Sequence, residues 1–287
     1  MNKTLLLLLG ILMAPALWAQ RSEAGIMLGT SYYLGDLNVD QHFGLAQPAG
    51  GLLYRYNLNP RWAFKMNAYY GEIVGDDASK AGENQQRNLS FKSGVLDIGA
   101  QMELNFFRYF TGSQKSYFTP YIFGGVALFS FNPKAEYNGE WYELQPLGTE
   151  GQGTTAYPDR KTYSLTSVSF PFGLGFKYSL SRKVCIGGEW GMRKTFTDYL
   201  DDVSTTYADP DVLRAENTEM AAILADRSIQ VTGEPPIEPG MQRGNSKNND
   251  WYSFAGLFVT VKVGSKRNST CTDFQKRHNY RDYIYYK

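Results

Sequence analysis

Eight segments of this chain alternate between apolar and polar residues, and this period of two constrains the fold more than any other feature. The segments lie near residues 24–34, 48–57, 61–74, 91–109, 116–131, 165–180, 183–199 and 251–263. Such a period is typical of β-strands whose two faces meet different surroundings. None of the gaps requires a crossover helix, so we predict antiparallel pairing throughout.

The gaps between these segments alternate in length. The short gaps are 58–60, 110–115 and 181–182, and the long gaps are 35–47, 75–90, 132–164 and 200–250. Short turns at one end and long loops at the other are typical of outer-membrane barrels. We therefore predict an all-β fold, an eight-stranded antiparallel transmembrane β-barrel with short periplasmic turns and long extracellular loops.

Each predicted strand has an apolar face and a polar face. In segment 91–109 the even positions include Leu96 and Ile98, whereas the odd positions include Asp97 and Glu103. A soluble ligand-binding barrel or a sandwich would turn the apolar faces inward, whereas a membrane barrel would turn them toward lipid. The alternation by itself does not distinguish these architectures.

Charge spacing favours the membrane barrel. Lys92 and Arg108 share the apolar face of segment 91–109 and are 16 residues apart, with no charged residue of that face between them. At ~3.3 Å per residue and ~40° of tilt, they are about 40 Å apart along the membrane normal. We therefore expect one cation in each headgroup layer of an outer-membrane lipid bilayer.

Aromatic residues also favour this architecture, because they gather beside both sets of gaps. Those beside short gaps are Tyr54, Tyr56, Trp62, Phe106, Tyr117 and Tyr178, and those beside long gaps are Tyr32, Tyr70, Phe129, Phe131, Phe196 and Trp251. We predict that they form two girdles at the two membrane interfaces.

The polar faces carry charges of both signs. They supply Arg55, Lys65, Lys177 and Arg193 as cations, and Asp97, Glu103 and Glu189 as anions. The lumen of an eight-stranded barrel is just wide enough for side chains, so opposite charges can pair across it. We predict a lumen charge network of these residues and no conducting pore.

The two ends of the chain differ from the barrel segments. Residues 1–19 combine Lys3, a short apolar run and small residues before Ala19, which predicts a cleaved signal peptide. The predicted barrel then covers 20–264, including the long loop 200–250. Residues 265–287 carry six basic and two acidic residues and form a predicted periplasmic tail, so both termini of the mature chain would be periplasmic.

The tail and the long loop carry opposite charge. Residues 201–249 hold nine acids and four bases, a net of −5, whereas the tail has a net of +4. A basic, tyrosine-rich surface suits a protein partner. We predict that the tail binds one through Lys276, Arg277, Tyr280, Arg281 and Tyr283. The alternative is a tail that is merely solvated.

In the long loop 200–250, Asp209 and Pro210 predict the start of a helix that runs to about Arg227.

The chain has two cysteines, Cys185 and Cys271, which lie at the same end of the predicted barrel. Because an exported protein meets an oxidising compartment, we predict that they form a disulfide. Two unpaired thiols, or a bond from Cys271 to another protein, remain alternatives.

No residue pattern predicts catalysis. The two histidines, His42 and His278, have no partner at metal-ligand spacing, and no nucleophile-elbow, zinc-protease or phosphate-loop motif is present. The 29 Lys and Arg against 28 Asp and Glu argue against nucleic-acid binding. We predict no enzyme, no cofactor and no metal. An outer-leaflet lipid-modifying enzyme that uses His42 is an alternative.

One stretch resembles a known family. The run Tyr32-Tyr33-Leu34-Gly35-Asp36-Leu37-Asn38, followed by Pro48-Ala49-Gly50-Gly51-Leu52-Leu53-Tyr54-Arg55-Tyr56-Asn57, is similar to PorG-type outer-membrane proteins of the type IX secretion system. The similarity continues through Trp62, Tyr70-Gly71-Glu72 and Gly75-Asp76-Asp77, and is most specific over residues 24–110.

This resemblance implies a non-enzymatic barrel that anchors the periplasmic ring of a protein secretion machine, which in some bacteria also serves gliding motility. The implied partners are the ring lipoprotein and its companion periplasmic subunit. The alternatives from the residues alone are a small structural barrel of the OmpA type and a secreted, lipocalin-like binder.

Overall fold

The computed structural model describes residues 21–79, 84–233 and 236–263. The predicted signal peptide, 1–19, and the predicted tail, 265–287, lie outside the described residues, and so does Cys271.

Ten strands follow one another along the described chain. They are β1 (Ser22–Leu34), β2 (Gln47–Asn57), β3 (Trp62–Asp76), β4 (Ser90–Asn105), β5 (Phe118–Ser130), β6 (Pro133–Tyr137), β7 (Glu140–Glu143), β8 (Thr166–Ser179), β9 (Val184–Thr195) and β10 (Trp251–Val263). All pairings among them are antiparallel, and the β3–β4 pairing closes the ring β1-β2-β3-β4-β5-β8-β9-β10. The predicted closed, eight-stranded antiparallel barrel is confirmed.

Two strands end earlier than the alternation predicts. Strand β4 ends at Asn105 rather than near 109, because the chain then crosses the barrel end and the Tyr109 amide donates to the Pro60 carbonyl at 3.1 Å. Strand β9 ends at Thr195 rather than near 199. There the Thr195 hydroxyl donates to the carbonyls of Thr197 and Asp250, which turns the chain inward.

Strands β6 and β7 form a hairpin in a gap for which only a loop was predicted. Its turn is Asn138-Gly139, both with positive φ (53° and 85°), which is the strongest short-range hairpin signal in a sequence. The hairpin extends the barrel wall at the long-loop end, because Lys134 of β6 pairs with Lys92 near the start of β4.

The long loop 200–250 holds a broken helix rather than the single helix predicted to Arg227. Its segments are α2 (Pro210–Val212), a π-helical turn (Leu213–Asn217), α3 (Glu219–Ala225) and α4 (Ile229–Thr232). The predicted cap at Asp209 is confirmed, since its carboxylate accepts from the Asp211 amide at 2.8 Å. The helix breaks where the Asn217 side chain turns to donate to the Leu147 carbonyl and Thr218 caps a new helix.

The remaining helical segments are short. They are 3-10 turns at Asp77–Ser79 and Gln145–Leu147 and the helix α1 (Asn84–Arg87). No helix within the described residues has the length and apolar character needed to cross a membrane.

The pleat of the strands separates two sets of side chains. In β4 every odd residue from Phe91 to Asn105 is buried, whereas the even residues are exposed or partly exposed. The other barrel strands follow the same alternation over most of their length. The inward set fills the lumen, so the barrel has a core rather than a channel through its middle.

Gly125 of β5 provides a test of this close packing. A Cβ atom at this position would lie 2.1 Å from the Ala100 carbonyl oxygen, whereas one at the adjacent Gly124 would meet only the Pro171 oxygen at 3.9 Å. We expect Gly125→Ala to lower the free energy of unfolding by about 1–3 kcal/mol through overpacking. The matched variant Gly124→Ala should stay near the parent value. Urea unfolding in detergent, followed by heat-modifiable mobility, measures both, and equal effects would contradict the packing described.

Candidate functional site

Glu103 of β4 is the centre of the lumen charge network. Its carboxylate accepts from Arg55 Nε at 2.8 Å and from Lys177 Nζ at 2.5 Å, and Lys65 Nζ lies 3.9 Å away. All four side chains are completely buried, so their charges are screened by one another and not by water. One carboxylate therefore holds three strands, β2, β4 and β8, to a common point.

Glu189 of β9 extends the network to the opposite wall. Lys65 Nζ makes an ion pair with Glu189, and the Tyr121 hydroxyl donates to the same carboxylate at 2.7 Å. Lys65 and Lys177 also contact aromatic rings. Lys65 Nζ lies 4.5 Å from the centroid of the Phe123 ring, and Lys177 Nζ lies 4.3 Å from the centroid of the Tyr121 ring. These contacts complete the surroundings of two ammonium groups that water does not reach.

Asp97 and Arg193 form the layer nearest the long loops. Their charged groups approach to 3.7 Å, and the Asp97 carboxylate also accepts from Asn67 at 2.7 Å and from the Tyr252 hydroxyl at 2.8 Å. The Arg193 guanidinium lies over the Phe254 ring at 4.8 Å. The structure thus places all seven predicted lumen residues inside the barrel and links them across it.

Glu23 of β1 is an eighth member, which the sequence reasoning missed. It lies 3.3 Å from Arg55 and accepts hydrogen bonds from Asn57, Thr111 and Thr260. The signal was present, because Glu23 continues the inward register of Met27 and Ser31, but the predicted strand began at residue 24. With Glu23 included, the network has four carboxylates and four cations.

An aromatic column continues from the lumen into the loops. The ring of Phe129 lies 5.1 Å from Tyr252 and 5.6 Å from Phe131, and Tyr163 then stacks between Phe131 and Tyr199 at 6.3 Å and 4.6 Å. The prediction that Phe129 and Phe131 belong to a membrane girdle is therefore wrong. Strand β5 has aromatic residues on both faces, so its pattern did not show which face turns inward.

The long loops form a cap with its own buried ion cluster. Arg243 Nη1 lies 3.0 Å from Glu150 Oε1, and the Glu150 carboxylate also accepts from the amides of Ser204 and Thr205. Asp202 accepts from Tyr163 at 2.7 Å and from Thr149 at 2.5 Å. These bonds join the long loops 132–164 and 200–250 across the long-loop end of the barrel.

Four acidic residues of the cap titrate unusually. Burial, with the charges of Asp36 and Glu150, raises the pKa of Asp198 to about 7. Burial also raises the pKa of Asp202 to about 6, against the attraction of Arg243. Asp201 and Asp250 both accept from the Tyr33 hydroxyl, and burial raises the pKa of each. The cap therefore holds four carboxyl groups whose pKa values burial raises above the ordinary range.

The other predicted site residues are placed as follows. The thiol of Cys185 is buried inside the barrel and unpaired within the described part of the chain, so the predicted Cys185–Cys271 disulfide stays a prediction. The tail residues Lys276, Arg277, Tyr280, Arg281 and Tyr283 lie outside the described residues. Among described side chains, no group of three His, Cys, Asp or Glu residues could hold a metal ion.

The outer wall is apolar over most of its height. Its exposed residues include Ile26, Leu28, Leu52, Met66, Leu96, Ile98, Ile122, Leu128, Val168, Leu174, Leu257 and Val259. The outward positions of the eight strands carry four charged residues, all near the long-loop end, namely Glu72, Asp76, Lys92 and Lys194. Exposed aromatic residues flank the wall, with Trp62, Tyr117 and Tyr178 at one end and Tyr70, Phe170 and Phe196 at the other.

The comparisons with known proteins give one family and several solved structures. The family model described as Domain of unknown function (DUF6089) matches residues 2–224, and no curated protein matches the chain. The chain is similar to Ail, the attachment invasion locus protein of Yersinia pestis, at 9% identity and a TM-score of 0.39, over 84% of this chain and 98% of that one.

Two further solved structures are similar to a comparable extent. Neisserial surface protein A has 10% identity and a TM-score of 0.41, over 84% of this chain and 97% of that one. The outer membrane protein OprG from Pseudomonas aeruginosa has 12% identity and a TM-score of 0.35, over 86% of this chain and 96% of that one. Likenesses at these values assign no residue and no activity to this chain.

Removing the charge of Glu103 tests the lumen charge network. In Glu103→Gln the completely buried Lys177 loses its counter-ion and Arg55 keeps only Glu23, so we expect a loss of about 3 kcal/mol or more in the free energy of unfolding. The control Glu143→Gln breaks an exposed pair with Lys134 at 2.9 Å and should leave the free energy of unfolding near the parent value. Urea unfolding in lipid vesicles measures both, and similar losses would contradict the network's role.

The raised pKa values of Asp198 and Asp202 predict the pH dependence of the cap. Because these values lie above the ordinary value of about 4, the folded cap binds more protons than the unfolded chain between about pH 4 and pH 7. Cap stability should therefore be greatest near pH 4 and fall as the pH rises through about 7.

Hydrogen exchange of the cap amides measures this dependence. The ratio between Asp198→Asn and the parent at each pH removes the intrinsic pH dependence of exchange. We expect the variant to protect the cap more than the parent above about pH 7 and equally near about pH 4. The exposed residue Asp40 provides the control Asp40→Asn, which should leave the protection of the cap amides at the parent's level.

Proposed function

The chain belongs to the DUF6089 family, and we propose that it is a closed outer-membrane β-barrel that acts by binding, as an anchoring component of the type IX protein secretion machinery. The observation that carries the membrane part is the outer wall, which is apolar apart from four charged residues near the long-loop end and surrounds an interior whose charges are paired.

The dimensions of the wall support this placement. In β4 the outward residues from Gly94 to Leu104 are uncharged, and they cover about 25 Å along the membrane normal, which is the height of the apolar band in outer-membrane barrels. Each charge moved into this band would cost roughly 2–4 kcal/mol. In water, the same wall would be an apolar patch far larger than monomeric proteins expose.

The arrangement of the strands supports an orientation with the short turns in the periplasm. Ser22 of β1 pairs with Val263 of β10, so the described chain begins and ends at the same end of the barrel, beside the short turns. The loops that build the cap lie at the other end. The tail that follows β10 would then leave the barrel on the periplasmic side.

The interior supports binding as opposed to conduction or catalysis. Side chains of β1, β2, β4 and β9 meet at the lumen charge network, and the aromatic column and the cap close the long-loop end. A filled barrel offers its partners two surfaces, the cap outside and the turns with the tail in the periplasm.

The assignment to type IX secretion rests on the PorG-like segment 24–110, together with the basic tail on the periplasmic side. The partners proposed are the ring lipoprotein and its companion periplasmic subunit, and the function proposed is to fix that ring to the outer membrane. A small structural barrel of the OmpA type is the second candidate, because the filled lumen suits it equally well.

Removal of the tail tests the proposal. We expect a chain that lacks 265–287 to reach the outer membrane as a heat-modifiable barrel but to lose the periplasmic ring proteins that the full chain co-purifies in mild detergent. A variant with Lys276, Arg277 and Arg281 all changed to Gln should reduce this capture, because it removes three of the tail's six positive charges.

The matched control changes Asn268, Ser269 and Thr270 of the same tail to Ala and should leave capture unchanged. Capture that survives the tail deletion contradicts the tail's role. A full chain in the outer membrane that captures no ring protein contradicts the secretion assignment and leaves the structural barrel.

A further inference from the structure

The first long loop, residues 35–46, does not extend away from the barrel but lies back against its outer wall. Tyr32 of β1 has the outward register of Ile26 and Leu28, which are 49% and 66% exposed, yet Tyr32 is 0% exposed. Its ring lies 4.8 Å from Phe43 and its hydroxyl bonds to His42 Nδ1 at 3.0 Å. The loop therefore covers an outward residue of the wall.

The covered part of the wall spans three strands. Trp190 of β9 donates from Nε1 to the Tyr32 hydroxyl at 2.9 Å, and its ring lies 6.2 Å from the ring of His42. Strand β10 lies between β1 and β9, and its outward residue Ser253 is small and completely buried. The loop thus reaches across β10 to the far side of the closure between the first and last strands.

The covered site lies below the charged edge of the wall. Lys194 marks that edge on β9, and Trp190 is four residues closer to the short-turn end, about 10 Å along the membrane normal. A loop that contacts Trp190 is therefore beside the apolar band and not above it.

The loop is held in this position by its own hydrogen bonds. Gly35 and Asn38 form a β-bridge, and the Asn38 side chain donates to the carbonyls of Tyr33 at 2.7 Å and Gln41 at 3.0 Å. Leu37 is buried in the core of the barrel. These contacts hold the loop in one conformation against the outer wall.

The loop turns apolar side chains outward at a conformational cost. Phe43 and Leu45 have φ of 61° and 53°, a left-handed conformation that is unfavourable for residues other than glycine. They are 51% and 39% exposed, and Val39 is 69% exposed. In water, the exposed faces of these apolar side chains would make no stabilising contact that offsets the unfavourable backbone conformation.

We propose that residues 35–46 insert Phe43 and Leu45 into the outer leaflet of the membrane, at the boundary between headgroups and acyl chains. The occupant of this surface is lipid, because the loop continues the apolar wall that begins at Ile26 and Leu28. This inference rests on the proposed membrane placement and adds a loop to the lipid-contacting surface. Val39 would lie in the same layer.

Nitroxide labels test the insertion in the full chain with Cys271→Ser, in which the remaining Cys185 thiol is buried and inaccessible to the label. Phe43→Cys is labelled and reconstituted in phosphatidylcholine–phosphatidylglycerol vesicles. Collision rates with oxygen and with a nickel chelate give the depth. Leu52→Cys, on the wall, is the lipid control, and Val231→Cys, 59% exposed on α4 of the cap, is the water control.

We expect the oxygen-to-nickel ratio at position 43 to lie between those at 52 and 231 and to exceed that at 231 severalfold. A ratio at 43 equal to that at 231, with 52 in lipid, overturns the insertion and leaves the barrel in the membrane. A ratio at 52 equal to that at 231 overturns the membrane placement itself. Dipolar broadening at 43 that grows with protein concentration assigns the surface to a second copy and also overturns the proposal.

Discussion

Every charge inside this barrel has to find its partner inside the barrel, and the rest of the structure follows from that constraint. Eight strands enclose a space that side chains fill. Bulk water therefore does not solvate Glu103 and Glu189, and cations of the barrel must balance their charge. Arg55, Lys65 and Lys177 come from β2, β3 and β8 and meet at Glu103 of β4, so their pairing fixes the register of each strand. A slip of one residue would turn an ion of the lumen into the apolar wall.

The same constraint separates the surfaces that meet the surroundings. The interior is neutral and filled, so the outer wall, the cap and the short-turn end are what the protein presents. The wall is apolar and its few charges lie near the long-loop end. The cap is built differently, with an ion pair between Arg243 and Glu150 and carboxyl groups whose pKa burial raises. One chain thus combines an interior of paired charges with a cap that holds buried carboxyl groups.

The sequence predicted the barrel well because its signal is periodic. The alternation of Leu96, Asp97 and Ile98 specifies a face without knowledge of any distant residue, and the seven lumen residues follow from the same parity. What it missed depends on local chemistry or on distant partners. The hairpin at Asn138-Gly139 had a readable turn signal inside a segment without alternation. Glu23 was lost to a strand boundary that was placed two residues late.

Other features had no signal in the sequence alone. The break of the loop helix depends on Asn217 reaching the Leu147 carbonyl, 70 residues away. The inward turn of Phe129 depends on the register of β5 against β4, since aromatic residues occupy both of its faces. The burial of Tyr32 depends on a loop that folds back across β10. Each of these is decided by tertiary contacts, which periodicity does not encode.

The pairing of Ser22 with Val263 has a consequence for how the molecule is made. Strand β1 cannot obtain one of its two neighbours until β10 exists, so the ring stays open until β10 has been synthesised. Such a long-range contact also places a large entropic barrier before closure. Until the ring closes, β1 and β10 each carry an unpaired edge, and such edges are open to pairing with other chains.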